Sequence, residues 1–315
     1  MPRDHYISQV HLKNFYSPAL VRRMYAIRKS DLLKFQCKSE DVCRIEGGST
    51  NLYLDNNRVI EEYLKFIEPK YNTAIESLRE GCPNRDAIHV VAGFIAYIMT
   101  CSPTGMRLHI NPLKKQLETT LIRLAESDRL PSLPSAFEGK SIRELLDGNV
   151  LRFDVDEKYP QAIGIMNIIK IVSMFGNFSW EVLINNLEDS PFFTSDFPIA
   201  SEASGDSDII NRIVPLAPNL AVRIIPNLKI EKKNVDLKFS NFRYKVKKVE
   251  SDEIIKINKL IVRSAENTIF YSCDFPWIEK FIAKNRFYKL EAITQTIPVY
   301  EGGLLLTRQR IVKTN

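Results

Sequence analysis

The sequence has no apolar run long enough to cross a bilayer. A spanning helix needs about 20 consecutive apolar residues, and the best candidate, from His89 to Met99, is shorter and is followed by Pro103. The N-terminus, Met1-Pro2-Arg3, also lacks the apolar core of a signal peptide. These absences predict a soluble protein with no membrane partner.

Cysteine is scarce, and several strong motifs are missing. The five cysteines are odd in number and scattered, and no C-x-x-C pair occurs, which excludes a zinc ribbon and favours the reducing cytoplasm. The chain also lacks G-x-G-x-x-G, Walker, H-E-x-x-H and G-x-S-x-G patterns. The familiar nucleotide, zinc-protease and esterase sites are therefore not expected.

The charge balance is mildly basic. Net charge is +6, from 44 basic and 38 acidic residues, which permits nucleic-acid binding without requiring it. Basic residues concentrate in one stretch, where they either guard a sheet edge or face phosphates. They are Lys229, Lys232, Lys233, Lys238, Arg243, Lys245, Lys247 and Lys248.

The hydrophobic period changes near the middle of the 315 residues. Helical spacing dominates residues 56–176, where Pro69 should kink the first helix. From residue 177 onward, apolar residues alternate with polar ones, as in a strand through Trp180. The pattern predicts an α+β fold in one large domain: a helical part, 56–176, packed on a mostly antiparallel sheet part, 1–30 and 177–315.

The run from Phe192 to Pro198 is the strongest site candidate. It places Thr194, Ser195 and Asp196 among apolar residues, where a carboxylate needs partners. Asp196 either caps a turn or contributes to chemistry, and both interpretations stay open. The similar run from Phe270 to Pro276 contains Asp274, which is expected to cap a helix that starts near Pro276.

The N-terminus supplies a second polar pair. His5 and Gln9 would lie one turn apart on a helix, where they could bind a phosphate, a sugar hydroxyl or a metal-bound water. Alternatively, their hydrogen bonds tie the terminal segment to the body of the protein. His11 is expected on another face.

Several of these features occur together in a known family. The opening H-Y-x-x-Q-x-x-L-x-x-F, Trp180, the F-F-T-S-D-x-P run and the segment from Val214 to Pro218 resemble the domain of unknown function 4238 family. The resemblance extends over roughly residues 4 to 275. It implies a soluble protein and no established activity. The family tends to have an arginine near the turn at 101–103, where Arg107 is the nearest in this chain.

The sequence predicts one shared site. His5 and Asp196 would be catalytic, and Gln9, Thr194, Ser195 and Arg107 would bind substrate. Asp196 would hold Mg²⁺ or Mn²⁺ through oxygen ligands, and a metal-held water would cleave a phosphodiester in RNA or DNA, with His5 as acid or base. Such a protein could be a nuclease-like toxin or defence effector. The alternative is a non-catalytic protein- or ligand-binding module. The sequence does not determine the oligomeric state.

Overall fold

The computed structural model describes residues 3–131, 133–137, 139–204, 209–229, 234–299 and 302–314. Its helices, in chain order, are α1 (Gln9–Lys13), α2 (Val59–Ile67), α3 (Tyr71–Arg79), α4 (Arg85–Cys101), α5 (Pro103–Glu126), α6 (Ile142–Asp147), α7 (Lys158–Met166), α8 (Ile168–Gly176), α9 (Ser251–Ser264) and α10 (Pro276–Asn285).

Its strands are β1 (Arg3–His5), β2 (Met24–Arg28), β3 (Lys34–Cys37), β4 (Arg44–Glu46), β5 (Ser179–Ile184), β6 (Thr194–Ser195), β7 (Ala200–Ala203), β8 (Ile210–Ala217), β9 (Leu220–Ile225), β10 (Arg243–Lys248), β11 (Thr268–Tyr271), β12 (Tyr288–Val299) and β13 (Gly302–Lys313). Helices dominate from α2 to α8 and mostly antiparallel strands follow, which confirms the α+β prediction. Lys232 and Lys233 of the basic stretch lie outside the described residues.

Helix α4 lies at the centre of the helical part. Asn84 caps it, because its side chain accepts a hydrogen bond from the backbone N–H of Ala87 at 2.8 Å. Almost every residue from Ala87 to Ile98 is buried, as expected for a helix that is apolar on nearly all sides. Upstream, a 3₁₀ turn at Glu68–Lys70 separates α2 from α3, as Pro69 predicts.

A five-stranded sheet, in the order β10-β5-β9-β8-β7, packs against this helical part. Only the β10–β5 pair is parallel among these strands. Along β5, Trp180 and Val182 join the core shared with α4 and α8, whereas Leu183 joins a second core with α9 and α10. Because successive side chains of a strand point to opposite faces, β5 contributes residues to both cores.

A second sheet, in the order β3-β2-β11-β6, carries the predicted site residues. Strand β2 pairs antiparallel with β11, so the N-terminal segment joins C-terminal strands, although in this sheet and not in the larger one. Strand β6 pairs with β11 through Thr194 opposite Phe270 and Ser195 opposite Ile269. Asp196 therefore follows directly at the end of this sheet.

Strands β12 and β13 form a long antiparallel hairpin. Leu290 and Ala292 anchor its base in the core, whereas Ile297 and Leu304 are exposed farther along it. Taken singly, none of the described helices has the length and apolar character needed to cross a membrane. Helices α4 and α5 meet that requirement only as a pair, with a bend of 60° between them.

Candidate functional site

The carboxylate of Asp196 is held by three backbone donors. Its Oδ1 accepts the N–H of Glu266 at 3.0 Å, and its Oδ2 accepts those of Asn267 and Thr268 at 2.8 and 2.9 Å. Asp196 is 6% exposed, so these bonds replace its contacts with water. The side chain thereby fixes the turn between α9 and β11.

A lysine beside Asp196 supports the same turn. Lys29 Nζ donates to the carbonyls of Ala265 and Tyr288 at 2.6 and 2.8 Å. Burial raises the pKa of Asp196 to about 6, although the turn N–H groups and Lys29 oppose the rise. Burial also lowers the pKa of Lys29 to about 8, against the attraction of Asp196 and Glu266. At neutral pH the Asp196 carboxylate and the Lys29 ammonium are therefore both charged, although both are largely removed from water.

Arg107 reaches the same turn from α5. Its Nη2 donates to the carboxylate of Glu266 at 2.6 Å and to the carbonyl of Leu290 at 3.1 Å, and its Nη1 pairs with Glu291 at 2.8 Å. Thr104 also donates to Glu266, at 2.9 Å. The guanidinium that was predicted to anchor a substrate anion is therefore occupied by two carboxylates of the chain itself.

His11 contacts Thr194, in the place where the sequence suggested His5. Its Nε2 lies 2.8 Å from Thr194 Oγ1, and its Nδ1 lies 2.8 Å from the hydroxyl of Tyr71. The ring also lies against Phe15 and Phe94. Complete burial lowers the pKa of His11 to about 3, so the imidazole is neutral and acts as one donor and one acceptor.

We expect His11 to make the protein sensitive to acid. The pKa is lowered in the folded state, so unfolding takes up a proton between pH 6.5 and about 3, and stability falls as pH falls through that window. From pH 7 to pH 5 the loss is about 2 kcal/mol. Urea unfolding of the wild type and of His11→Gln at both pH values measures it, because other titrating groups cancel in the comparison. If the free energy of unfolding falls equally in the two proteins between the two pH values, this assignment is contradicted.

His5 and Gln9 face a different segment. The Oε1 of Gln9 accepts the hydroxyl of Ser39 at 3.3 Å. Burial and the charge of Arg44 lower the pKa of His5, while the backbone at Ser39 and Glu40 opposes that shift. Within the described chain, His5 Nε2 is buried without a hydrogen-bond partner.

The structure thus arranges the predicted site residues in two groups. His5 and Gln9 meet at the segment around Ser39, whereas Asp196 and Arg107 meet through Glu266. In the described residues, no hydrogen bond or ion pair joins one group to the other.

Tyr6 lies between the two groups. Its phenol hydrogen-bonds with Cys43, and the charge of Asp196 acts on both side chains. Burial raises the pKa of Tyr6 and of Cys43 above their ordinary values. Both groups are therefore protonated at neutral pH and offer no nucleophile there.

The two similar F-x-x-x-D-F-P runs use their polar residues differently. Ser195 Oγ accepts the N–H of Phe197 at 3.2 Å, which is a local turn contact. The prediction that Asp274 caps a helix is wrong: the residue before α10 is Phe275, and no side-chain cap is present. Asp274 instead pairs with Lys34 at 2.5 Å on the surface, because the fold brings β3 beside it.

A buried charge network on the α9 side of the large sheet was not predicted from the sequence. Arg223, on β9, pairs with Glu181 at 2.6 Å, with Glu202 at 2.8 Å and with Glu253 of α9. Lys245 and Lys256 supply outer partners to Glu181 and Glu202. Opposite charges at inward positions of buried strands could have signalled it, but their pairing depends on strand register.

The donor set around Asp196 offers no vacant ligand cluster for Mg²⁺ or Mn²⁺. Both carboxylate oxygens already accept N–H bonds, and Lys29 brings positive charge to the same place. Among the described residues, no three His, Cys, Asp or Glu side chains converge as a metal site. The metal ion remains a prediction from the sequence, and no chemical step is assigned to it.

Among the surface cavities of the described residues, two that border the large sheet are large enough for ligands. A groove of about 1050 Å³ lies where the β5–β6, β8–β9 and β11–α10 connections meet, and its lining includes Asn14, Tyr16, Arg79, Asn185, Asn219 and Cys273. A pocket of about 400 Å³ lies beside the starts of β5 and β10. Both fall in the size range of small-molecule sites.

Comparison with known proteins gives a family without an activity. The family model described as "Protein of unknown function (DUF4238)" matches residues 3–274. No curated protein and no solved structure matches the chain. Helix α10 and the β12–β13 hairpin lie beyond the matched residues.

Proposed function

The chain belongs to the DUF4238 family, whose description names no activity, and we propose from its geometry that it is a non-catalytic ligand-binding module. One observation carries this proposal: both oxygens of Asp196 are occupied by the turn at 266–268. A carboxylate that accepts three backbone N–H bonds fixes structure and leaves little capacity for a substrate or metal. Thr194 is similarly occupied by His11.

The proposal is tested by separating stability from binding. A structural Asp196 makes its replacement costly to folding, whereas replacing a group strained for catalysis often leaves stability unchanged or improves it. The free energies of unfolding of Asp196→Asn and of His5→Ala, each measured beside wild type, distinguish a structural role from a catalytic one. A stable Asp196→Asn protein would count against the structural role, and the proposal would then fail.

A phosphodiester hydrolase is the second candidate, and His5 favours it. Its buried Nε2 has no partner in the described part of the chain, so this nitrogen keeps a hydrogen-bonding capacity that no described group uses. On this proposal the protein would cleave RNA or DNA with Mg²⁺ or Mn²⁺, as a cytoplasmic toxin or defence effector. The lowered pKa of His5 makes it a base at neutral pH.

A cleavage assay decides between the candidates. Labelled single-stranded and duplex RNA and DNA are incubated with wild type, His5→Ala and His89→Ala, with either metal ion. His89 is a matched control, because burial lowers its pKa as well and it lies on α4, outside the candidate residues. We expect no cleavage by any of the three proteins. Cleavage that His5→Ala loses and His89→Ala keeps would establish the hydrolase.

A further inference from the structure

Strand β10 is a cationic, solvent-exposed edge. All six of its residues are exposed, and in the described structure β10 is the outer strand beside β5. Four of the six are basic: Arg243, Lys245, Lys247 and Lys248. Alternate residues lie about 6.6 Å apart on one face of a strand, so Arg243, Lys245 and Lys247 form a row of positive charge on one face, whereas Lys248 lies on the other face with Tyr244.

Most of this charge is available to a partner. Lys245 pairs with Glu181 at 2.7 Å, and Arg243 donates to the neighbouring carbonyl of Phe242. Lys247 and Lys248 form no ion pair with any described carboxylate. Three cations of the strand are therefore not neutralised by the chain that the structure describes.

An aromatic platform accompanies the row of cations. Tyr244 is 44% exposed and stacks on Phe242, with ring centres 5.7 Å apart and planes at 22°. Phe242 in turn meets Trp180 edge-on, and the Tyr244 hydroxyl donates to the carbonyl of Gly81 at 3.0 Å. The exposed ring is thus fixed in place, which lowers the entropy cost of stacking a planar ligand on it.

The 400 Å³ pocket extends this surface past the start of the strand. Its lining combines two lysines, Lys170 and Lys229, and four asparagines with one acid, Asp236, and an apolar floor of Met174 and Phe178. Lysines at the rim add anion contacts. Amides are the side chains that hydrogen-bond the edges of planar heterocycles.

We propose that β10 and this pocket bind single-stranded nucleic acid. The strand of nucleic acid passes over the exposed edge of β10: Arg243 and Lys247 contact phosphates on one face, Lys248 contacts a phosphate on the other, and there the ring of Tyr244 stacks on a base. Basic grooves combined with exposed aromatic rings are how sequence-tolerant binders hold single strands. A peptide strand added to β10 is disfavoured, because edge lysines oppose strand addition. In a duplex the bases are paired and stacked on one another, so the ring of Tyr244 cannot stack on them. This inference rests on the proposed binding function and names its ligand.

Fluorescence anisotropy with labelled oligonucleotides of 15 nucleotides tests the proposal, in a buffer that contains EDTA so that no cleavage with a metal ion can occur. We expect single-stranded DNA or RNA to bind more tightly than a duplex or polyglutamate. Three neutralised phosphates give a slope of about −2 in log K against log salt, so affinity falls about 20-fold from about 50 to about 200 mM salt. Tyr244→Leu should weaken binding roughly 5-fold or more, whereas Tyr244→Phe should keep it.

A charge-matched control separates the strand from general basicity. The variant Arg243→Gln/Lys247→Gln/Lys248→Gln loses three charges at β10, and Lys13→Gln/Lys65→Gln/Lys280→Gln loses three at other exposed positions. We expect only the first to lose binding at about 150 mM salt. Equal binding by both variants, equal affinity for duplex or polyglutamate, or no binding by wild type would overturn the proposal. With Asp196→Asn still destabilised, such a result refutes this ligand and leaves the proposed binding function standing.

Discussion

Replacing Arg223 with methionine is expected to lower the free energy of unfolding by about 3–5 kcal/mol. Arg223 is 6% exposed, and its guanidinium joins Glu181, Glu202 and Glu253 across the sheet and α9. Without it, the buried carboxylates of Glu181 and Glu202, which lie on two strands of the same sheet, lose their shared partner. Although burial lowers it, the hydrogen bonds that the guanidinium donates to Glu253 and Glu181 raise the pKa of Arg223, which reflects the same mutual stabilisation.

Two companion variants show whether the network itself is the cause. Arg223→Lys keeps the charge but cannot reach three carboxylates at once, so an intermediate loss is expected. The triple variant Arg223→Met/Glu181→Leu/Glu202→Leu removes the desolvated charges together and should recover most of the stability, because apolar groups of similar volume replace buried ion pairs well. Urea unfolding of the four proteins measures the series. An Arg223→Met variant as stable as wild type would show that the network does not hold α9 to the sheet.

Asp196→Ala is expected to cost about 3 kcal/mol at pH 8, where the carboxylate is ionised. Three backbone N–H groups, of Glu266, Asn267 and Thr268, lose their acceptor. A fully buried donor left without an acceptor costs about 1–3 kcal/mol, and these three are only partly buried, so each is expected to contribute near the lower end of that range. Asp196→Asn retains one acceptor oxygen and should fall between wild type and alanine.

The similar run supplies a matched control. Asp274 stands in the same F-x-x-x-D-F-P context, but its side chain is one-third exposed and pairs with a surface lysine. We therefore expect Asp274→Ala to change stability by less than about 1 kcal/mol. Chemical unfolding of the three variants beside wild type makes the comparison. Equal effects at the two aspartates would remove the argument that Asp196 is held for structure.

Much of the fold could be predicted from local patterns. Alternation through Trp180 predicted β5, and Pro69 marked the break between α2 and α3. The resemblance to the DUF4238 family was confirmed over residues 3–274. These features depend on the period of apolar residues and on proline geometry, both of which are local.

The candidate site could be predicted only in part. The sequence identified Asp196 as a carboxylate that needs partners, but the partners are backbone groups 70–72 positions away. It suggested His5 beside the threonine of the run, whereas His11 makes that contact across 183 positions. The packing of α1 decides which of the two histidines contacts the distant strand, and this packing cannot be predicted from the residue types alone.

The order of apolar, polar and charged residues along the chain was enough to predict the class of the fold, the sequence of its helical and sheet parts, and the concentration of positive charge after residue 229. Folding in three dimensions was needed to show that Asp196 holds a turn, that Arg223 joins three glutamates, and that the basic residues of β10 line an exposed edge. The difference comes from the distance along the chain over which each signal acts. Periodicity acts between neighbours in the chain, whereas side-chain partners are fixed by sheet register and layer packing between distant segments.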